Sequence, residues 1–220
     1  MNMNWETVEK CIFCGSKNFN HYLNKNDVRY YICECGMIFQ NPHLDADSLE
    51  IYYSSGKYRT PKATFFDPNV DKRMDGKERA RQRRVAEYVL PGTHLDVGCS
   101  RGYLLQITSK KGCTILGVEP TPKYVLPDIP FVTSLDDVNE KFDTVTCIHV
   151  LEHVLNPIEF ADKLIARVGK RLILEVPSCG FYIHHIYIFN KDTILKMFDK
   201  LVLKTYMDIG SNFFIFEKDY

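Results

Sequence analysis

The stretch His94-Leu95-Asp96-Val97-Gly98-Cys99-Ser100-Arg101-Gly102 decides the fold. A short apolar run ends in Asp96, and a tight turn follows with glycines at 98 and 102. Tyr103-Leu104-Leu105-Gln106-Ile107 then opens as a helix. Upstream, Val85, Tyr88 and Val89 fall at helical spacing, and Pro91-Gly92 stops that segment. Strand, glycine turn and helix make the layout that lets backbone N–H groups approach a bound cofactor. A second apolar run, Thr114–Val118, ends in Glu119-Pro120. An acidic residue about 20 positions after a glycine turn, at a strand tip, suits hydrogen bonding to ribose hydroxyls.

Three motifs compete for this turn. A dinucleotide-binding turn needs G-x-G-x-x-G, which Ser100 breaks. Gly98-Cys99-Ser100-Arg101-Gly102 fits the G-x-S-x-G elbow of serine hydrolases, but that elbow follows several strands and an oxyanion loop, and almost nothing strand-like precedes it here. The third reading takes Asp96-x-Gly98-Cys99-x-x-Gly102 together with Gly117-Val118-Glu119-Pro120. It is joined downstream by Phe142-Asp143-x-Val145 and by Leu151-Glu152-His153-Val154-x-x-Pro157. These phrases resemble the class I S-adenosylmethionine-dependent methyltransferases, whose turn is usually D-x-G-C-G-x-G; Ser100 stands at the middle glycine.

The resemblance implies an α/β fold, a Rossmann-like doubly wound sheet closed by a C-terminal antiparallel hairpin. Leu201–Asp208 and Phe213–Lys218 around Gly210-Ser211-Asn212 supply that hairpin. It implies donor contacts from Asp96, Gly98, Cys99, Ser100, Gly102, Glu119 and Pro120, with Ser134 and Leu135 bordering the adenine. Four prolines between residues 120 and 130 leave no room for the usual next helix. His149, directly after an apolar strand, is expected to point towards the donor's methionine end or the acceptor. Glu152 and His153 are expected on the first turn of the following helix.

Two further features extend the resemblance. Cys11-Ile12-Phe13-Cys14-Gly15 and Cys33-Glu34-Cys35-Gly36 flank a predicted hairpin, Phe19–Leu23 with Val28–Ile32. Four soft ligands in glycine-ended turns describe a zinc ribbon, a unit too small to fold on apolar burial alone. The second pair is C-x-C, so either a distorted knuckle of Cys11, Cys14, Cys33 and Cys35 or a site with His21 as substitute ligand is open. Relatives with such a ribbon continue with a phrase matched by Cys35-Gly36-Met37-Ile38-Phe39-Gln40-Asn41-Pro42 and a tyrosine-bearing segment, here Tyr52, Tyr53 and Tyr58. The resemblance implies that this segment covers the cofactor mouth, with Tyr58 towards the substrate. Methyltransferases acting on carbons of nucleotide-linked sugars carry an E-H pair where this chain has His184-His185. His185 matches the catalytic histidine, while His184 replaces the glutamate and is expected at the substrate. A carbon or hydroxyl acceptor needs a base, and His185, His153 and His149 are the candidates.

Composition sets the outer bounds. The 220 residues give room for a zinc ribbon (1–42), a linker with a helical cover (43–84) and a donor-binding domain (85–220). Twenty-eight basic and 28 acidic residues balance, which argues against a dedicated nucleic-acid binder. The basic run Lys72, Arg73, Lys77, Arg79, Arg81, Arg83 and Arg84 reads either as a phosphate-facing patch or as the solvated side of a helix. A polar N-terminus and no membrane-length apolar run make a cytoplasmic protein the expectation, in which the eight cysteines stay reduced. The expected activity is methyl transfer from S-adenosylmethionine to a small molecule such as a nucleotide-linked sugar. The competing readings are a nucleic-acid-modifying enzyme or reader that uses ribbon and basic helix, and a catalytically degenerate scaffold.

Overall fold

The computed structural model describes residues 3–55, 76–121, 123 and 125–219. Tyr58, Asp71, Lys72, Arg73 and Asp75 lie outside these residues, as do the side chains of Lys77 and Glu78.

The N-terminal part contains β1 (Trp5–Glu6), β2 (Phe19–Lys25), β3 (Val28–Cys33), β4 (Ile38–Gln40), β5 (His43–Leu44) and α1 (Ala46–Ser54). The predicted hairpin is present as β2 and β3, two residues longer on its first strand and one on its second. Asn26 and Asp27 turn it with positive φ, the backbone region that asparagine and aspartate tolerate best. Asp45 caps α1 by accepting the Ser48 N–H at 2.8 Å.

The remainder alternates helix and strand: α2 (Gly76–Ala86), β6 (Thr93–Val97), α3 (Tyr103–Lys110), β7 (Thr114–Val118), β8 (Phe131–Val132), β9 (Phe142–Ile148), α4 (Pro157–Arg167), β10 (Val168–Pro177), β11 (Tyr187–Ile188), α5 (Lys191–Met197), β12 (Val202–Asp208) and β13 (Ser211–Glu217). Seven strands form one sheet in the order β12-β13-β10-β9-β6-β7-β8. β6 through β10 run parallel, while β13 is antiparallel to both β10 and β12, as expected of the closing hairpin. Central strands covered on both faces need apolar side chains throughout, and Leu95, Val145, Cys147, Leu172, Leu174 and Val176 are all buried. The chain leaves β6 to one side and returns to β9 on the other. That reversal opens a crevice at the carboxyl ends of these strands.

Several boundaries moved for local reasons. The segment before β6 is helical from Gly76 and ends at Ala86, and the Glu87 and Tyr88 amides close a tighter turn on Arg84 and Val85. Among the described residues no α-helix lies between β7 and β8, as the prolines predict. Glu152 and His153 belong to a separate one-turn helix, Leu151–His153, because Asn156 caps α4 and Pro157 occupies its first position.

The sequence did not announce β11. It pairs antiparallel with β4, so a strand from the C-terminal half completes the N-terminal sheet β11-β4-β3-β2. One core runs through both parts, from Cys11, Met37, Phe39 and Leu44 to Leu151, Leu174, Ile186 and Phe214.

The glycine turn is tight. A Cβ on Gly98 would fall 2.3 Å from Val150 Cγ2, so glycine is required. Ser100, at φ 52°, holds the left-handed conformation that suits the glycine usual at that point. Ser100→Gly is therefore expected to raise stability by up to about 1 kcal/mol, the relief being offset in part by glycine's greater freedom when unfolded. A urea midpoint that falls instead would argue against strain at this position.

Candidate active site

Asp96 is the penultimate residue of β6, inside the crevice and 5 % exposed. Burial pushes its carboxyl up to about 7, against the Thr146 hydroxyl that donates to it at 2.6 Å. Thr146 is in turn 3.0 Å from Nε2 of His94, whose Nδ1 is 2.9 Å from Thr108 Oγ1. Burial drives His94 down to about 3, so this fully buried ring is neutral and bridges two hydroxyls beneath the turn.

The turn departs from the expectation of amides aimed at a ligand. The Gly98 and Cys99 N–H groups both donate to the Val118 carbonyl, Gly102 N–H to the Cys99 carbonyl, and Ser100 N–H to Glu119 Oε2 at 2.9 Å. Glu119 also accepts the Thr121 N–H at 2.9 Å, so its carboxylate ties the tip of β7 to the turn. Cys99 turns its thiol into the core: a Cβ on Gly117 would meet that sulfur at 2.6 Å.

Asp96, Gly98, Cys99, Ser100 and His149 line one cavity of about 190 Å³, together with Arg81, Gln82, Val85, Leu104 and Ile148. Gly102, Glu119, Pro120, Ser134 and Leu135 stand outside its lining. Gly102 begins α3, Pro120 is exposed, Ser134 caps a one-turn helix through the Asp136 N–H, and Leu135 is in the core.

His149, at φ 55°, is the second strained residue of the site. Its Nε2 lies 3.3 Å from Glu175 Oε1 and its Nδ1 3.4 Å from Glu152 Oε1. Burial disfavours the charged ring, but the two carboxylates outweigh it and raise its pKa. Glu175 also accepts from Arg84 at 2.7 Å and from Ser211 at 2.6 Å. Burial would raise its pKa; His149, Ser211 and Arg84 hold it at about 2. Sequence reasoning missed Glu175, although a lone carboxylate in Leu172-Ile173-Leu174-Glu175-Val176 was a usable signal. Arg84 corrects the reading of the basic run as a solvated face, since it reaches inward to a carboxylate and lies 5.3 Å over the Phe213 ring.

Next to this network, His153, His184 and His185 converge, with ring centres 4.8 to 5.3 Å apart. Burial, assisted by mutual repulsion, lowers His184 to about 3 and His185 to about 4, so both rings are neutral. Tyr52 and Tyr182 stack on His184, and Tyr53 meets His153 edge-on. The N-terminal sheet fastens this loop: Tyr30 Oη donates to the Tyr182 and His185 carbonyls at 2.8 and 2.9 Å, and Gln40 N–H to the Ile186 carbonyl at 2.7 Å.

Cys11, Cys14, Cys33 and Cys35 place their sulfurs within 4.8 Å of one another, with Cys11–Cys35 at 3.7 Å and Cys14–Cys33 at 3.4 Å. Four thiolates about 2.3 Å from one zinc stand about 3.8 Å apart, so the donor set and spacing fit that ion. His21 is exposed, bonds Asn24 at 2.8 Å and takes no part in the cluster, so the four-cysteine alternative stands.

A seven-stranded sheet in this order, with its glycine turn and acidic second strand tip, defines the class I S-adenosylmethionine-dependent methyltransferases. The chain belongs to the methyltransferase-domain family, whose model matches residues 69–207. It is 35 % identical over 88 residues to a mitochondrial ubiquinone biosynthesis O-methyltransferase of Arabidopsis thaliana, an alignment covering 33 % of this chain and 27 % of that protein. A ubiquinone biosynthesis O-methyltransferase of Aliivibrio fischeri is 26 % identical over 148 residues, 50 % of this chain and 63 % of that protein. The chain thus spans between about a quarter and two thirds of the curated relatives it matches. Magnesium protoporphyrin IX methyltransferase from Synechocystis PCC 6803 with bound SAH shares the fold at a TM-score of 0.62 and 18 % identity, over 80 % of this chain and 100 % of that one. A SAM-dependent methyltransferase from Archaeoglobus fulgidus does so at 0.55 and 16 %, over 76 % and 99 %. No helix among the described residues is long and apolar enough to cross a membrane.

Proposed function

We propose that this methyltransferase acts on a hydroxyl of a small molecule, with the donor in the cavity between the glycine turn and His149 and the acceptor over the neighbouring histidines. The observation that carries this is the adjacency of the two. The wall residue His149 and the cluster residue His153 flank one carboxylate, Glu152, at 3.4 and 3.7 Å. The small-molecule class rests on the O-methyltransferases to which the chain is similar, and a nucleotide-linked sugar is one acceptor within it.

When bound, S-adenosylmethionine supplies an electrophilic methyl group on a sulfonium, and alignment with the acceptor is the protein's main contribution. Because the amides of the turn and the Cys99 carbonyl are engaged within the fold, Gly98 and Ser100 meet a donor ammonium with carbonyl oxygens, and Asp96 adds negative charge beneath them. Gly102 shapes the turn, Glu119 takes the ribose and also fixes Ser100, Pro120 and Ser134 edge the adenine side, and Leu135 packs in the core. His149, raised in pKa between two carboxylates, positions the donor side and is not the base. The imidazoles that face the acceptor belong to His153, His184 and His185. Residues 1–42 carry zinc on Cys11, Cys14, Cys33 and Cys35, Tyr52 and Tyr53 of the 43–84 segment pack on the histidines, and residues 85–220 bind the donor.

Asp96 provides the test. Burial pushes its carboxyl up to about 7, and a cationic donor favours the ionised form. Donor affinity by calorimetry should therefore be level above that pH and weaken by up to tenfold for each pH unit below it. Asp96→Asn should weaken binding and abolish the slope. A variant that binds as tightly as the parent, with the same slope, would remove Asp96 from the donor site. Isotope-labelled donor incubated with fractionated small metabolites then identifies the acceptor, and label in nucleic acid alone would overturn the small-molecule reading.

A further inference from the structure

The three neighbouring histidines carry features that stacking does not require. One ring nitrogen from each of His153, His184 and His185 lies within 4.8 Å of the other two. The rings come from two separate places in the chain, the one-turn helix Leu151–His153 and the loop after β10. His153 donates its Nδ1–H to the His184 carbonyl at 2.8 Å, which leaves the lone pair on Nε2. His184 Nδ1 is 3.3 Å from the Tyr52 hydroxyl, a contact that likewise suits a ring whose Nε2 carries the lone pair. Holding one imidazole nitrogen by a carbonyl or hydroxyl so that the other faces a metal is the usual outer-shell arrangement at such sites.

A second observation points the same way. Glu152 is 0 % exposed; its Oε1 lies 3.4 Å from His149 Nδ1, and its Oε2 is buried without a hydrogen-bond partner among the described residues. Oε1 stands 3.7 Å from His153 Nε2. Nδ1 of His185, a residue 8 % exposed, is also buried without a partner among the described residues. Leaving buried polar groups unmatched is costly, and phenylalanine would stack without that cost. A divalent cation drawn between these groups answers the carboxylate's charge and the imidazole lone pairs together. Three imidazoles leave a coordination position open, the pattern of reactive rather than structural metal sites, and imidazole suits zinc, iron, cobalt and nickel.

We propose that His153, His184 and His185 bind one divalent transition-metal ion, with Glu152 as its carboxylate partner, and that the open position selects acceptors bearing an oxygen donor. The acceptor part rests on the function proposed above; binding of the ion does not.

Cobalt(II) titration of the full chain separates the two parts. The four-cysteine cluster should take one equivalent with a strong thiolate-to-cobalt charge-transfer band. A second equivalent should add only weak visible bands, because imidazoles lack that transition. In His184→Ala and His153→Gln the second equivalent should weaken by at least the roughly 10- to 100-fold that loss of an outer-shell partner costs, while the thiolate band persists and reports that the N-terminal sheet is intact. One equivalent only in the parent chain, or a second one unchanged in both variants, would overturn the site. Addition of a catechol should shift the weak bands of the parent chain; unshifted bands would overturn the acceptor preference while leaving the ion in place. Failure of the chain to bind S-adenosylhomocysteine would instead count against the donor pocket and leave the cobalt result standing.

Discussion

Disrupting the four-cysteine cluster proposed to hold zinc, by chelation or by Cys33→Ser, is expected to cut methyl transfer about 100-fold while donor affinity changes little, because displacing an acceptor by about 1 Å suffices for such a loss. The histidine loop hangs on the N-terminal sheet through the Tyr30 hydroxyl, the Gln40 amide and the ladder between β4 and β11. The knuckle residue Cys33 ends β3, and the turn from Cys33 to Met37 leads directly into β4. Zinc in small thiolate units contributes about 10–16 kcal/mol of binding that is also folding energy, so its removal loosens this sheet before the seven-stranded one. Amide exchange should then accelerate at Tyr187 and Ile188 but not at Leu95 or Val145. Unchanged turnover and unchanged exchange at β11 would mean that the cluster does not hold the loop.

Glu175→Gln is the second large effect. The carboxylate is buried at the end of β10 with Arg84, His149 and Ser211 directed at it. Removing one partner from a buried ionic network costs about 3–5 kcal/mol, since the others remain desolvated. In a chain of this size that corresponds to a fall in Tm of about 10 °C. The dependence on pH gives a sharper signature. The folded pKa of Glu175 lies below its ordinary 4.5, so its stabilisation is complete above 4.5 and is lost as pH falls from there through about 2. His149 has the opposite sign: its pKa is raised above 6.5, so its contribution is complete below 6.5 and is lost as pH rises through the raised value. The network is therefore strongest between about 4.5 and 6.5. Glu175→Gln should flatten the acid side of the stability curve measured in urea, and an acid limb like the parent's would show that Glu175 does not carry it.

Much of the site was legible because its residues act locally. Positive φ at Gly98, Ser100 and Gly102 is imposed within a few residues, so glycine spacing alone places the turn. Asp96 stands one residue before the end of its strand and Glu119 one residue past the end of its own, each a charge beside an otherwise apolar run. Asn190 as a helix cap and the closing hairpin depend equally on near neighbours. The destination of the turn's amide hydrogens was not legible. Those of Gly98 and Cys99 are taken by the Val118 carbonyl, on a strand reached only after α3.

Sequence by itself determined the strand–turn–helix unit, the cysteine pairs and the parallel core, because each follows from spacing and polarity over short stretches. Only the tertiary structure decided that Tyr187–Ile188 completes the N-terminal sheet, that Arg84 turns inward to Glu175, and that His153 meets His184 and His185. These are contacts between residues about 30 to 150 positions apart, formed once the sheet has brought its strand ends together. No local periodicity records which distant side chain will stand opposite a buried charge.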